Sequence, residues 1–171
     1  MALVAFLRGV NVGGHRTFRP AVLAKQLARF DAINIGAAGT LVIRKPMTVA
    51  SLRREIARRL PFVTEIMICR GRDVVALAAG NPFEGLSHQS NLVAFVSVVA
   101  RRAKRLPLPL HLPSERDWGV RVIACRGRFV VGLYRREMRA IRLLGQLDER
   151  LGAPVTTRNW NTIQAIARVL G

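Results

Sequence analysis

Leu3-Val4-Ala5-Phe6-Leu7-Arg8-Gly9-Val10-Asn11-Val12-Gly13-Gly14-His15 is an apolar run that passes straight into a glycine-rich loop. Five consecutive apolar residues read as a strand buried on both faces. Three glycines after it let the backbone turn tightly and bring bare N–H groups close to a ligand. The spacing from Gly9 to Gly14 imitates the start of a nucleotide-binding P-loop. That loop needs Lys and then Ser or Thr after its last glycine to hold phosphate and magnesium; His15 and Arg16 stand there instead.

Outward from this strand, the hydrophobic periods alternate. Pro20 suits the first turn of a helix, and Leu23, Leu27 and Phe30 recur at helical spacing behind it. Ala32–Ile35 and Thr40–Arg44 read as short strands around Gly36-Ala37-Ala38-Gly39. Val49, Leu52, Ile56 and Leu60 predict a second amphipathic helix stopped by Pro61, and Val63–Cys69 a strand. The order is βαββαβ, the ferredoxin-like arrangement. A short helix over Asp73–Ala79 ends at Gly80. Asn81-Pro82-Phe83-Glu84-Gly85 breaks the pattern and marks a boundary between an N-terminal half, 1–80, and a C-terminal half, 81–171.

In the second half Leu92–Val99 reads as a buried strand. Leu106–Pro113 carries prolines at 107, 109 and 113 and is expected to be an extended connector. Val120–Ala124 and Phe129–Leu133 form a hairpin across Arg126-Gly127-Arg128. Ile141, Leu144, Leu147 and Leu151 mark a helix, Val155–Thr157 a strand, and Trp160, Ile163, Ala167 and Leu170 one face of a last helix. The expectation is an α+β protein of two βαββαβ-type halves. One internal echo, Cys69-Arg70-Gly71-Arg72 against Cys125-Arg126-Gly127-Arg128, falls in different contexts and reads as coincidence.

Composition narrows the function classes. The chain has 171 residues, half of them hydrophobic, enough for a sizeable core. The longest apolar run, Leu92–Ala100, is too short to span a bilayer. Met1–Leu7 lacks the basic start of an export signal, so a soluble, cytoplasmic protein with reduced Cys69 and Cys125 is expected. There are 28 basic and 10 acidic residues. The excess is even: 13 against 4 over residues 1–80 and 15 against 6 over 81–171, net +9 in each. Twenty-five of the 28 cations are arginine. Two readings stay open. Nucleic acid or another polyanion would bind such a surface through its phosphates, with Arg53, Arg54, Arg58 and Arg59 on one helix and Arg101, Arg102, Lys104 and Arg105 in one run as the candidate contacts. Alternatively, a GC-rich genome would favour arginine over lysine without a functional cause. The aromatic set that ferredoxin-like RNA readers place on central strands is missing, since Ala2–Leu7 and Val63–Cys69 offer only Phe6.

Three segments together resemble a bacterial family, the domain of unknown function family 1697: Phe6–His15, Ala78-Ala79-Gly80-Asn81-Pro82-Phe83, and Pro154-Val155-Thr156-Thr157-Arg158-Asn159-Trp160-Asn161-Thr162. Asp117-Trp118 through Tyr134-Arg135-Arg136 resembles one branch of it. The resemblance implies two ferredoxin-like halves and supplies no activity. Where relatives carry polar Gln, Ser and Asn after the second strand, this chain has Gly36, Ala37, Ala38 and Thr40.

No reaction type is legible. His15, His88 and His111 have no partners at metal-ligand spacing, and neither a metal nor a cofactor is expected. Nothing marks a base beside either cysteine. The strand-to-helix handover at Arg158-Asn159-Trp160-Asn161 is the best ligand candidate, with Arg158 able to fork onto an anion. The competing structural role has Asn159 capping the helix and Trp160 plugging the core. Arg8, Asn11, Gly13, Gly14 and His15 are the second ligand set, and a small anionic metabolite held between that loop and Arg158–Asn161 is the alternative to polyanion binding.

Overall fold

The computed structural model describes residues 1–10, 18–86 and 89–171. Asn11, Gly13, Gly14, His15 and His88 lie outside the described residues. The chain divides into two compact units, Met1–Ala79 with Thr162–Gly171, and Gly80–Asn161.

The first unit runs β1 (Leu3–Leu7), α1 (Pro20–Gln26), β2 (Ala32–Ile35), β3 (Thr40–Ile43), α2 (Val49–Ala57), β4 (Ile66–Arg70) and α3 (Gly71–Ala79). Its sheet has the order β2-β3-β1-β4, antiparallel at every joint. All five β1 residues are at most 1% exposed, as a central strand's unbroken apolar run requires. Leu3, Ala5 and Leu7 meet Leu23 and Leu27 near α1 and Leu52 and Ile56 of α2 in one core. Pro20 opens α1, and the Thr48 side chain caps α2 by accepting the Ser51 N–H at 3.1 Å. Gly36 and Gly39 both take positive φ in the β2–β3 turn; a Cβ on Gly39 would stand 2.9 Å from the Leu7 Cβ.

The second unit runs β5 (Leu92–Val99), β6 (Leu110–Pro113), β7 (Trp118–Arg126), β8 (Phe129–Arg135), α4 (Met138–Gly145), α5 (Leu147–Leu151) and β9 (Val155–Asn159), which passes directly into α6 (Trp160–Leu170). The sheet order is β6-β7-β8-β5-β9, again antiparallel throughout. The whole is α+β with two antiparallel sheets. The element order of this unit departs from βαββαβ, because no helix separates β5 from β6. Prolines at 107 and 109 deny that stretch the backbone donors and the αR geometry of a helix. Its end, expected to be an extended connector, is extended and also pairs with β7 as an edge strand in which Pro113 closes the strand, where a missing donor costs least.

Two further expectations shift. The single helix over 141–151 is two, α4 and α5, with Gln146 between them. Its inward row is Ala140, Leu143, Leu147 and Leu151, and Ile141 is 71% exposed. The Cys69 and Cys125 echoes occupy a strand-to-helix joint and a hairpin respectively, so they are not copies of one unit.

Of the glycines in this sheet, Gly132 of β8 leaves least room for a side chain. A Cβ there would collide with the Arg121 carbonyl and stand 2.8 Å from the Phe95 ring. Gly145, in contrast, has open space around it and sits in the last turn of α4. Gly132→Ala is expected to lose about 1–3 kcal/mol through overpacking. Gly145→Ala is expected to be neutral or to gain up to about 1 kcal/mol from helix propensity. Urea melts of both variants check the contrast.

Candidate functional site

A cleft of about 420 Å³ opens at one end of the second sheet. That volume lies within the range of small-molecule sites. Three backbone features build it. The turn after Asn81 is held by its own side chain, whose Oδ1 accepts the Phe83 N–H at 3.3 Å while its carbonyl accepts from Glu84 at 3.0 Å. This presents Phe83 to the edge of Trp160, ring centroids 5.0 Å apart and planes at 69°. The first residues of β5 and the last of β8 form the floor through Leu92, Ala94 and Leu133. The β9–α6 handover supplies Asn159, Trp160 and Asn161.

The lining is amide-rich and aromatic. Asn81, Gln89, Asn159 and Asn161 each offer a donor and an acceptor. Tyr134 and Trp160 add ring surface with a polar end. Among the described residues the lining includes one cation, Arg136, and no carboxylate. Arg136 is exposed and its Nε donates to the Ser90 carbonyl at 2.9 Å.

The predicted site residues separate. Asn159 and Asn161 are exposed at the cleft. Trp160, expected as a core plug, is half-buried and lines the cleft. Arg158 does the opposite of what a ligand fork would need. It is 5% exposed, pairs in register with Val96, and donates to Thr156 Oγ1 at 2.7 Å and the Thr157 carbonyl at 2.9 Å. Burial pulls its guanidinium down to about 10. Arg8 and Gly9 line a different, more open cleft of the first unit, with Arg53, Thr64 and Glu65. There the Arg8 carbonyl accepts from Thr64 Oγ1, and Arg53 donates to the Ile66 carbonyl.

The two basic sets also differ. On α2, Arg58 and Arg59 both bond to Glu55, and Arg29 stands 3.4 Å from the same carboxylate. The hydrogen bonds from Arg59 and Arg58 hold Glu55 down at about 2. Arg54 reaches only the Ser51 hydroxyl, at 3.4 Å. In the other set Arg101, Arg102, Lys104 and Arg105 are exposed and form no ion pair among the described residues. The Lys104 N–H donates to the Leu151 carbonyl at 2.9 Å, which fixes the middle of this run.

Neither cysteine is set up as a nucleophile. Cys69 is buried, and burial pushes the Cys125 thiol up. Among the described residues no three His, Cys, Asp or Glu side chains group as metal ligands, and no helix is long and apolar enough to cross a membrane.

Gln89, Tyr134 and Arg136 were not legible as site residues. They reach the cleft only because β5 pairs with β8, and nothing local in the sequence announces that pairing.

Residues 1–108 match the family described as Protein of unknown function (DUF1697), and the chain belongs to that family. The match ends before the Pro154–Thr162 segment. No curated protein matches. Among solved structures, the chain is similar to a conserved bacterial protein from Streptococcus pneumoniae, with 15% identity, a TM-score of 0.63, and 99% of this chain and 98% of the other covered. That likeness is one of fold.

Arg158 is therefore a packing residue with a charge. Burial, which pulls its guanidinium down to about 10, costs the charged form about 3 kcal/mol. Charged hydrogen bonds to Thr156 and Thr157, at about 1.5–3 kcal/mol each, offset that. Arg158→Met, which keeps the volume, is expected to melt within a few degrees of wild type. Arg158→Ala adds a cavity and is expected to lose about 2–4 kcal/mol, more than the half-buried Trp160→Ala. Thermal melts of the three variants give the order.

Proposed function

We propose that this DUF1697 member binds a small planar compound, neutral or anionic, in the cleft of its second unit. One observation carries the reading. The segments Ala78–Phe83 and Pro154–Thr162 both bear the family resemblance, and both put side chains on this cleft: Asn81 and Phe83 from one, Asn159, Trp160 and Asn161 from the other. A core-filling role would bury the two rings. Instead Asn159 and Asn161 are exposed, and Phe83 and Trp160 are half-covered. Amides reading a ring edge, with an indole to stack on it, suit a hydrogen-bonding heterocycle. Among the described residues no carboxylate lines the cleft and Arg136 stands beside it, which disfavours a cationic ligand. We place the protein in the cytoplasm, a reading supported by two free cysteines. We read the first unit as ferredoxin-like, supported by its β-α-β-β-α-β order with β1 and β3 adjacent at the centre.

The cleft reading is tested by a thermal-shift screen of nucleosides, nucleotides, phosphorylated sugars and acidic metabolites. A true ligand at a hundred times its Kd adds about 2.7 kcal/mol. Asn161→Ala and Trp160→Ala are expected to abolish the shift and Arg102→Gln to leave it intact. A shift that survives both cleft variants removes the assignment.

Polyanion binding is a second reading, favoured by the exposed, carboxylate-free run Arg101–Arg105. It predicts fluorescence-anisotropy binding to labelled RNA or DNA whose log affinity falls by about 0.9 per log unit of salt for each duplex phosphate neutralised. Gln at 101, 102, 104 and 105 together is expected to flatten that slope. Gln at 58 and 59 is expected to change it less, because Glu55 already neutralises part of that set. No binding at about 50 mM salt, which favours phosphate contacts, removes this reading.

A further inference from the structure

The second sheet has two unlike ends. At the end that carries the cleft stand the half-covered rings Phe83, Trp118, Tyr134 and Trp160. At the opposite end β5 stops at Val99, the β7–β8 hairpin turns over Arg126-Gly127-Arg128, and β9 begins at Val155. Backbone bonds draw the three connections together. The Val99 N–H donates to the Arg128 carbonyl, the Ala100 N–H to the Pro154 carbonyl and the Lys104 N–H to the Leu151 carbonyl, each at 2.9 Å. The Arg128 guanidinium adds bonds to the Val99 and Ala100 carbonyls at 2.9 and 3.3 Å.

The exposed run from Arg101 to Arg105 therefore shares its end of the sheet with two exposed cations remote from it in sequence. These are Arg126 at the hairpin and Arg150 in the last turn of α5. Lys104 lies along Gly152, where an added Cβ would stand 3.0 Å from the Lys104 Cε and 3.2 Å from its Cδ. Its stem is packed while the residue stays exposed. Arg101, Arg102, Lys104, Arg105, Arg126 and Arg150 form no ion pair among the described residues. The acids on α5 beside them are Asp148 and Glu149, and Asp148 Oδ1 already accepts the Val155 N–H at 3.2 Å. From β7 to β9 this end is about 14 Å wide, three strand spacings. A nucleic-acid duplex carries one phosphate charge per about 1.7 Å of axis, so that width meets several phosphates. A single strand, in contrast, is held largely by bases stacked on aromatic side chains. Phe129, which pairs in register with Val98 and Arg126 at this end, is 5% exposed. Charge without an open ring suits a polyanion whose bases are already stacked inside it.

We propose that this end of the second unit binds double-stranded nucleic acid through its phosphates, without reading sequence and in preference to single strands. The inference rests on the polyanion reading and narrows it to duplexes, with Arg126 and Arg150 as contacts beyond the run. It is independent of the cleft.

The test is fluorescence anisotropy of the full chain with labelled duplex DNA, duplex RNA and the single strands of each, over a salt series. With about four phosphates neutralised, duplex affinity is expected to fall about a hundredfold between about 50 and 200 mM salt. At about 50 mM salt the duplexes are expected to bind about tenfold tighter than their strands, from slopes of about 0.9 against 0.7 per phosphate. Arg126→Gln and Arg150→Gln each lower the duplex slope by about 0.9. Arg116→Gln, an exposed arginine of the β6–β7 connection at the cleft end, leaves it unchanged. Arg126→Lys and Arg150→Lys keep the charge and keep the slope. Single strands bound as tightly as duplexes, with affinity lost when 101, 102, 104 and 105 are all Gln, overturn the duplex inference and leave the polyanion reading standing. Arg126→Gln and Arg150→Gln indistinguishable from Arg116→Gln also overturn it, as do Lys variants that lose as much slope as the Gln ones. No binding of any probe at about 50 mM salt, which favours phosphate contacts, overturns both.

Discussion

Everything of functional interest in the second unit hangs on β5. Leu92–Val99 is the one strand that pairs with β8 on one side and β9 on the other. Its second half, Phe95–Val99, is fully buried, and its first half, Leu92–Ala94, is only half-covered. That gradient locates the cleft. Where β5 is buried, the sheet is core, with Phe95 lodged over Gly132 and Val99 among Leu147 and Leu151. Where it emerges, the same pairing brings the end of β8 and the end of β9 to its flanks, and their side chains become walls. Without β5 as a common neighbour, Tyr134 and Asn159 would have no reason to line one space.

The joint between β9 and α6 makes the second wall. No loop intervenes: Asn159 is the last strand residue and Trp160 the first helical one. Strand alternation sends Arg158 to the side opposite Asn159, and the helix that starts at Trp160 carries Trp160 and Asn161 onto the cleft. This explains why four consecutive residues meet such different fates. Arg158 is buried and bonded to Thr156 and Thr157, whereas Asn159 and Asn161 stay open.

This is also where reading by sequence reached its limit. The elements themselves were legible: β1 from its unbroken apolar run, the β2–β3 hairpin from paired glycines, α2 from its helical period, and the handover at Asn159 from the change of period. The segments at 78–83 and 158–161 were legible as candidates. Their meeting was not, because it depends on β5 pairing on both flanks, and pairing partners leave no local mark. The phase of α4 was misjudged at Ile141 because Ala140 and Leu143 define an equally apolar row one residue away. The burial of Arg158 was hidden because arginine's identity argues for the surface and only the alternation along β9 argues against it.

The arginine surplus takes on a different meaning once each guanidinium is placed. Many serve backbone carbonyls that the sheets leave short of donors. Arg128 donates to Val99 and Ala100, Arg135 to Trp118, Arg136 to Ser90, and Arg53 to Ile66. Lysine could supply a charge at these places but not a rigid planar fork able to hold two carbonyls at once, as Arg128 does. Structure therefore accounts for part of the preference for arginine over lysine without invoking any partner. It does not account for the shortage of carboxylates. The cations left over after this use include the exposed run from Arg101 to Arg105 and exposed arginines scattered elsewhere, among them Arg19, Arg70, Arg116 and Arg142. Such scatter over exposed positions is what composition alone would produce, so the clustered run at Arg101–Arg105 is the part of the surplus that argues for a polyanionic partner.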